Sequence, residues 1–213
     1  EAVSERDVDL LILEEMSVNR TFIEAFLAEV DVSDLRQWKV FHSVTDSALG
    51  ETDLLVRLML EGGISRAVMI ENKIDAIAQP EQANRYKLRG EAGIENGDWS
   101  SFSTCIMAPG RYLQGTGDVS LYDHRVSYEK IIEILQVVDG IEEDRRRYRI
   151  ETLKLAIEQQ RRGYTAKMDE RVTEFWQSYH RLALQEFPEL NMPTPKNKPG
   201  GAGFIIFKPR PIE

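Results

Sequence analysis

The sequence predicts an α/β fold with a mixed sheet and additional helices toward the C-terminus, and three observations predict it. Stretches with helical spacing of apolar residues alternate with short runs rich in Val, Ile, Leu and Met. Two of these strand-like runs are separated only by residues 61–65, where Glu61-Gly62-Gly63 turns the chain, a connection too short for a crossover helix, so the centre is a hairpin and a doubly wound sheet is disfavoured. The length of 213 residues, with 42% apolar and 30% charged side chains, is enough to bury a core without disulfide or metal staples.

Each element has its own signature. Ser4 followed by Glu5-Arg6-Asp7 reads as an N-cap with acids in the first turn, and Val8, Leu11 and Ile12 continue the helical pattern. A second amphipathic stretch covers 21–30. Strand-like runs follow at 37–44, 51–60 and 66–73, the last an apolar body with a charged end. Residues 78–91 are polar and helical, with Pro80 acceptable in a first turn. A fourth strand is expected at 102–108, closed by Pro109-Gly110, and a short one at 125–128. Helices are then expected at 129–137, 142–162 and 172–187. A Pro- and Gly-rich loop leads to a final strand-like run, Phe204-Ile205-Ile206-Phe207. No internal repeat or low-complexity tract interrupts this order.

Composition narrows the function classes. The single cysteine, Cys105, excludes a disulfide framework and a Cys-rich zinc site, which makes a reducing, cytoplasmic setting the expectation. No apolar run exceeds four residues, so neither a membrane span nor a signal peptide is expected. The chain begins with Glu1 and stops just after a strand-like run, the pattern of a piece of a longer chain. Net charge is −9, which argues against a generic polyanion binder. The charge is uneven, however: residues 1–50 carry −7 and residues 151–213 carry +2.

Along a strand, side chains alternate, so Glu51 and Asp53 share one face, as do Glu71 and Lys73. If the two strands pair through the Gly62-Gly63 turn, three carboxylates and one ammonium converge at one end of the sheet. Crowded carboxylates repel unless a cation intervenes, and hard oxygen donors suit Mg²⁺ or Mn²⁺. A lysine two residues from such a glutamate can orient or deprotonate a water. Charged strand ends are more often solvated edges; what favours chemistry here is the apolar Ala67-Val68-Met69-Ile70 before Glu71-Asn72-Lys73, the acid upstream and the helix downstream.

These residues resemble the PD-(D/E)XK nuclease superfamily. The acid of its second strand is matched by Asp53 in Gly50-Glu51-Thr52-Asp53, and its acid-x-lysine triplet by Glu71-Asn72-Lys73. The Gln-x-x-x-Tyr motif of its RecB-like branch is matched by Gln82-Ala83-Asn84-Arg85-Tyr86. The family's proline is absent, since Thr52 precedes Asp53. The resemblance implies a restriction-endonuclease-like core of helix, three-strand meander, helix and strand over residues 1–128. Residues 129–213 would be a helical extension ending in a strand and packed on that core.

The implied activity is metal-dependent phosphodiester hydrolysis, with DNA as the expected substrate and no membrane partner; a homo-oligomer stays open. By resemblance, Asp53, Glu71 and the Asn72 backbone carbonyl would hold Mg²⁺ or Mn²⁺. Lys73 would position the attacking water, and Gln82 and Tyr86 would brace the site or the phosphate. For an acid on the first helix, Asp9 is the candidate, with Glu5 and Glu14 as alternatives. Phosphate contacts would fall to Arg85, Lys87, Arg89 and Arg111, with the Arg145–Arg149 run beyond. The rival reading is a nuclease-like domain with little or no catalysis that binds nucleic acid or protein. A phosphotransferase lacks its Gly-rich phosphate loop. His42, His124 and His180 have no ligand spacing, and Cys105, Trp176, Tyr179, Leu182 and Leu184 read as packing residues.

Overall fold

Ser4 caps the first helix as its neighbours demand: Asp7 N–H donates to Ser4 Oγ while the Asp7 carboxylate accepts from Ser4 N–H, a reciprocal box. The computed structural model describes residues 2–46, 49–76, 79, 81–115, 117–162 and 169–198. Helices α1 (Glu5–Val18) and α2 (Arg20–Ala28) lead into strands β1 (Leu35–Asp46), β2 (Gly50–Leu60) and β3 (Ser65–Asn72). Then come α3 (Gln82–Glu95), β4 (Ser101–Ala108), the short α4 (Gly110–Leu113) and β5 (His124–Ser127). Helices α5 (Tyr128–Val137), α6 (Glu143–Arg162) and α7 (Glu170–Glu186) complete the series.

The fold is α/β, and among the described residues it has one five-stranded mixed sheet in the order β1-β2-β3-β4-β5. β1, β2 and β3 form an antiparallel meander, and β4 and β5 add in parallel. The β2–β3 turn works because Gly62 and Gly63 take φ of 75° and 77°, a region costly for side chains with a Cβ. Helix α3 lies very close to the sheet: a Cβ on Gly90 would stand 2.3 Å from the Phe102 ring and one on Gly93 1.9 Å from Trp99.

Alternation along the strands builds two cores. Leu54, Val56, Val68, Ile70, Cys105 and Met107 pack with α1, α2, α5 and α6, whereas Leu55, Ala67, Met69 and Ile106 pack under α3 with Ala83 and Tyr86. Each fully buried aliphatic side chain contributes about 1.5–3 kcal/mol. Cys105 is a buried free thiol, as expected of a packing residue.

Most boundaries shift by a residue or two from the sequence expectation, and three of the differences lie near the residues of interest. Glu81 has left-handed φ and ψ of 58° and 17°, which a helix interior cannot hold, so α3 starts at Gln82 and runs to Glu95 rather than covering 78–91. Ala78 and Pro80 lie outside the described residues. Strand β3 ends at Asn72, and Lys73 follows it with its N–H donating to Met107 O at 3.0 Å. Tyr128 opens α5 instead of closing β5.

The chain divides into two compact units, Glu1–Tyr164 and Thr165–Glu213. The first includes α5 and α6, so it extends past residue 128. In the second, Trp176, Ala183 and Met192 form a small core with Tyr179 against it, while Leu182 and Leu184 are exposed. The expected strand at 204–207 lies outside the described residues. No described helix is long and apolar enough to cross a membrane.

Candidate active site

The β2–β3 register brings the predicted residues together. Leu54 pairs with Ile70, so Asp53 and Glu71, one step further, face each other on the side of the sheet that carries α3. Asp53, Glu71, Lys73 and Gln82 line one open cleft of about 420 Å³, with Glu51 and Gly50 at its rim.

Glu71 is the hub. Its carboxylate oxygen Oε1 accepts from Lys73 Nζ at 2.6 Å and from Gln82 Nε2 at 2.7 Å. The Gln82 carbonyl oxygen accepts from Gln79 N–H, which fixes the amide so that its nitrogen faces Glu71. Burial would lower the Lys73 pKa, but the carboxylates of Glu71 and Glu5 outweigh it and hold the ammonium charged well above neutrality. In this arrangement Lys73 donates hydrogen bonds and orients; it does not abstract a proton.

Asp53 is held from two sides. Its Oδ2 accepts from Asn72 N–H at 2.8 Å, and its own N–H donates to Tyr86 Oη at 3.1 Å. Tyr86 Oη in turn donates to the Ile70 carbonyl. Tyr86 is wholly buried, so its part is to pin β2 to β3 from α3; it does not reach a substrate. Burial and then the charge of Glu71 push the Asp53 carboxyl up to about 8, although the Asn72 N–H opposes the rise.

The first-helix acids separate. Glu14 is far from the cleft in function, because it pairs with Arg145 and Arg149. Glu5 comes to the site: its Oε2 lies 3.7 Å from Lys73 Nζ and its Oε1 accepts from Ile74 N–H. Asp9 is buried, with His42 Nε2 at 3.9 Å from Oδ2 and no hydrogen-bond partner for Oδ1 among the described residues. Burial pushes its carboxyl up to about 7.

Sequence reasoning did not foresee the Asn72 side chain. Its Nδ2 donates to Glu5 O at 2.9 Å and its Oδ1 accepts from Tyr128 Oη at 2.6 Å, which ties the end of β3 to α1 and α5. The sequence carries no signal for it, since the burial of Asn72 to 0% exposure depends on partners 67 and 56 positions away. The Arg145–Arg149 run is engaged with the protein itself. Arg145 and Arg149 pair with Glu14 and Glu15, Arg146 donates to the carbonyls of Leu135, Val138 and Ile141, and Arg147 pairs with Asp144.

Among the described residues no group of three or more His, Cys, Asp or Glu side chains is placed to hold a metal ion. The donors present are of another kind: two carboxylates on adjacent strands, beside the peptide carbonyl of Asn72. Mg²⁺ commonly takes one or two carboxylates and completes its shell with water and phosphate. The elevated Asp53 carboxyl and the unpartnered Asp9 Oδ1 show a surplus of buried acid that a divalent ion would relieve. The residues therefore fit such an ion. The chain matches no protein-family model, no curated protein and no solved structure.

Proposed function

We propose that this chain is a metal-dependent nuclease of the PD-(D/E)XK type, with a restriction-endonuclease-like core, hydrolysing phosphodiester bonds in DNA. One observation carries the reading: Asp53 and Glu71 face each other across β2 and β3, with Lys73 Nζ 2.6 Å from Glu71 in the same cleft. A solvated strand edge would expose these groups, yet Glu71 is 1% and Lys73 8% exposed.

Asp53, Glu71 and the Asn72 carbonyl would hold Mg²⁺, or Mn²⁺ in its place. When bound, the ion supplies Lewis acidity and lowers the pKa of a coordinated water. The protein's own work is positional. Lys73 presents a fixed positive charge to the water and to the phosphate oxygens on which negative charge grows. Gln82 holds Glu71 in one rotamer, so the carboxylate and the lysine keep their separation. Tyr86 and Asn72 lock the strand ends that carry both acids, which spares the reorganisation a loose site would require. Glu5 steadies Lys73 from α1.

The test is cleavage of circular and linear DNA of one sequence, incubated with Mg²⁺, with Mn²⁺ or with EDTA. Metal-dependent breakage is expected, and nicking of the circle distinguishes an endonuclease from an enzyme that needs ends. DNA binding with no breakage under either metal favours the rival reading of a binding domain. Breakage that persists unchanged in EDTA overturns the metal-dependent mechanism.

A further inference from the structure

Toward Gly50, the same cleft changes sign. Arg89 is only 7% exposed, and its guanidinium stands 4.3 Å from the Tyr86 ring centroid. Its Nε donates to Thr52 Oγ1 at 2.8 Å and its Nη1 to the Leu49 carbonyl. Its Nη2 is buried with no hydrogen-bond partner, and no carboxylate pairs with the group among the described residues. Taking a guanidinium out of water is costly unless an anion compensates it, and the described residues supply none.

Arg85 reaches the same place. It lies four residues earlier on α3 and three after Gln82, so all three side chains project on one side of the helix. A Cβ built on Gly50 would stand 3.9 Å from Arg89 Nη1 and 4.0 Å from Arg85 Nε. The two guanidinium groups thus flank one point at the cleft wall, and glycine leaves that point open. The other two basic candidates lie elsewhere: Lys87 lines a separate depression with Arg66 and His124, and Arg111 donates to the Arg161 carbonyl.

We propose that Arg85 and Arg89 form an anion subsite that takes a phosphate group of the substrate next to the Asp53–Glu71 acids. Guanidinium groups suit the tetrahedral oxyanion as planar, permanently charged donors; in Arg89 it is Nη2 that has no partner among the described residues, while Arg85 Nη2 donates to Gln79 Oε1 at 3.1 Å. The cleft then has two poles, one that takes a cation and one that takes a phosphate other than the group being cleaved. The identity of the substrate rests on the nuclease reading, whereas the affinity for phosphate does not. The phosphate is either the terminal monoester of a strand or an internal diester, which share the oxyanion the arginines recognise.

The experiment uses the full chain in EDTA, titrated with inorganic phosphate and followed by melting temperature and ³¹P line width, with chloride at matched ionic strength as control. The variants are Arg85→Gln and Arg89→Lys, the second keeping the charge but losing the fork. Wild type is expected to bind phosphate over chloride, and each variant to bind roughly tenfold more weakly. A parallel arm in Ca²⁺ compares an oligonucleotide with and without a 5′-phosphate. A preference for the phosphorylated strand that the variants lose identifies the terminal monoester; equal binding that the variants weaken identifies an internal diester.

If wild type does not distinguish phosphate from chloride, or if both variants bind phosphate as wild type does, the subsite is overturned. If Arg89→Lys does not fold, Arg85→Gln decides alone. Phosphate binding lost in the variants, together with no DNA cleavage by wild type under Mg²⁺, keeps the subsite and overturns the nuclease reading instead.

Discussion

Two regions of the first compact unit are dense in buried charge, and they are built on opposite principles. At the α1–α6 seam every charge has an opposite: Glu15 and Arg149, with side chains 2% and 3% exposed, pair directly, and Glu14 and Arg145 extend the network. At the cleft the charges are sorted to two ends: Glu71 and the nearby Glu5 converge on Lys73 beside Asp53, while Arg89 has no carboxylate partner among the described residues. Compensated charge holds helices together. Uncompensated charge, costly to the fold, is the mark of groups waiting for something outside the chain. The difference teaches that a run of arginines in sequence says little until the acids it meets are known.

The contrast breaks most visibly at Lys73. Lys73→Ala should lower the rate of metal-dependent DNA cleavage by about 10²–10³-fold, the range for losing one fixed donor beside the oxygens on which negative charge develops. Binding of the same DNA, measured in Ca²⁺, should survive. Equal losses in binding and turnover would make Lys73 a structural lysine and the cleft no different in kind from the seam.

At the seam the same logic gives a stability effect instead. Arg149→Ala leaves the buried Glu15 with Arg145 Nε, 3.3 Å away, as its remaining partner, at a cost of up to about 3–5 kcal/mol and a melting temperature lower by on the order of 10 °C. Replacing both partners, Glu15→Leu with Arg149→Met, should recover much of that loss, because two apolar side chains need no compensation. Thermal denaturation of the three proteins checks it. A double variant as unstable as the single one would mean that the pair does more than cancel itself.

Asp53→Asn should invert the sign. The folded-state pKa of Asp53 is raised from the usual carboxylate range to about 8, so the stability linked to its protonated form is full below that range and drains away as pH rises toward 8. Asp9, raised to about 7, acts in the same direction. The metal-free asparagine variant should therefore melt higher than wild type, by a gap that widens from about pH 5 to about pH 8 and then levels, at ~2–4 °C per kcal/mol. It should also lose metal-dependent cleavage. A constant gap across pH would show that Asp53 titrates normally in the fold.

The smallest effect belongs to Arg147, an exposed partner of Asp144 one turn away on α6. Arg147→Ala should change stability by less than about 0.5 kcal/mol and leave the salt dependence of DNA binding unaltered. A flatter salt dependence would return this face of α6 to the nucleic-acid path.

Much of the fold was legible because its signals are local. The Ser4–Asp7 box, the Gly62-Gly63 turn and the two-residue alternation of β2 and β3 are each written within a dozen residues, and they suffice to place Asp53 opposite Glu71. The triplet and the Gln82–Tyr86 spacing are local as well. What could not be read depends on distant pairs. Glu14 meets Arg149 across 135 positions and Asn72 meets Tyr128 across 56, so neither Glu14's removal from the site nor Asn72's anchoring had a sequence signature. Asp9 shares its helix face with Ile12, Leu13 and Met16, which in sequence favours it over Glu5, yet the longer side chain at the first turn of α1 is the one that reaches Lys73.

Asn72 also sets how the site can come apart. Its main chain is bonded to Asp53 on β2, its amide nitrogen to α1 and its amide oxygen to α5, so movement of any one of the three strips a bond from the residue that stands between Glu71 and Lys73. Each such bond is worth about 1 kcal/mol. Slow hydrogen exchange at the Asn72 amide therefore reports an assembled cleft.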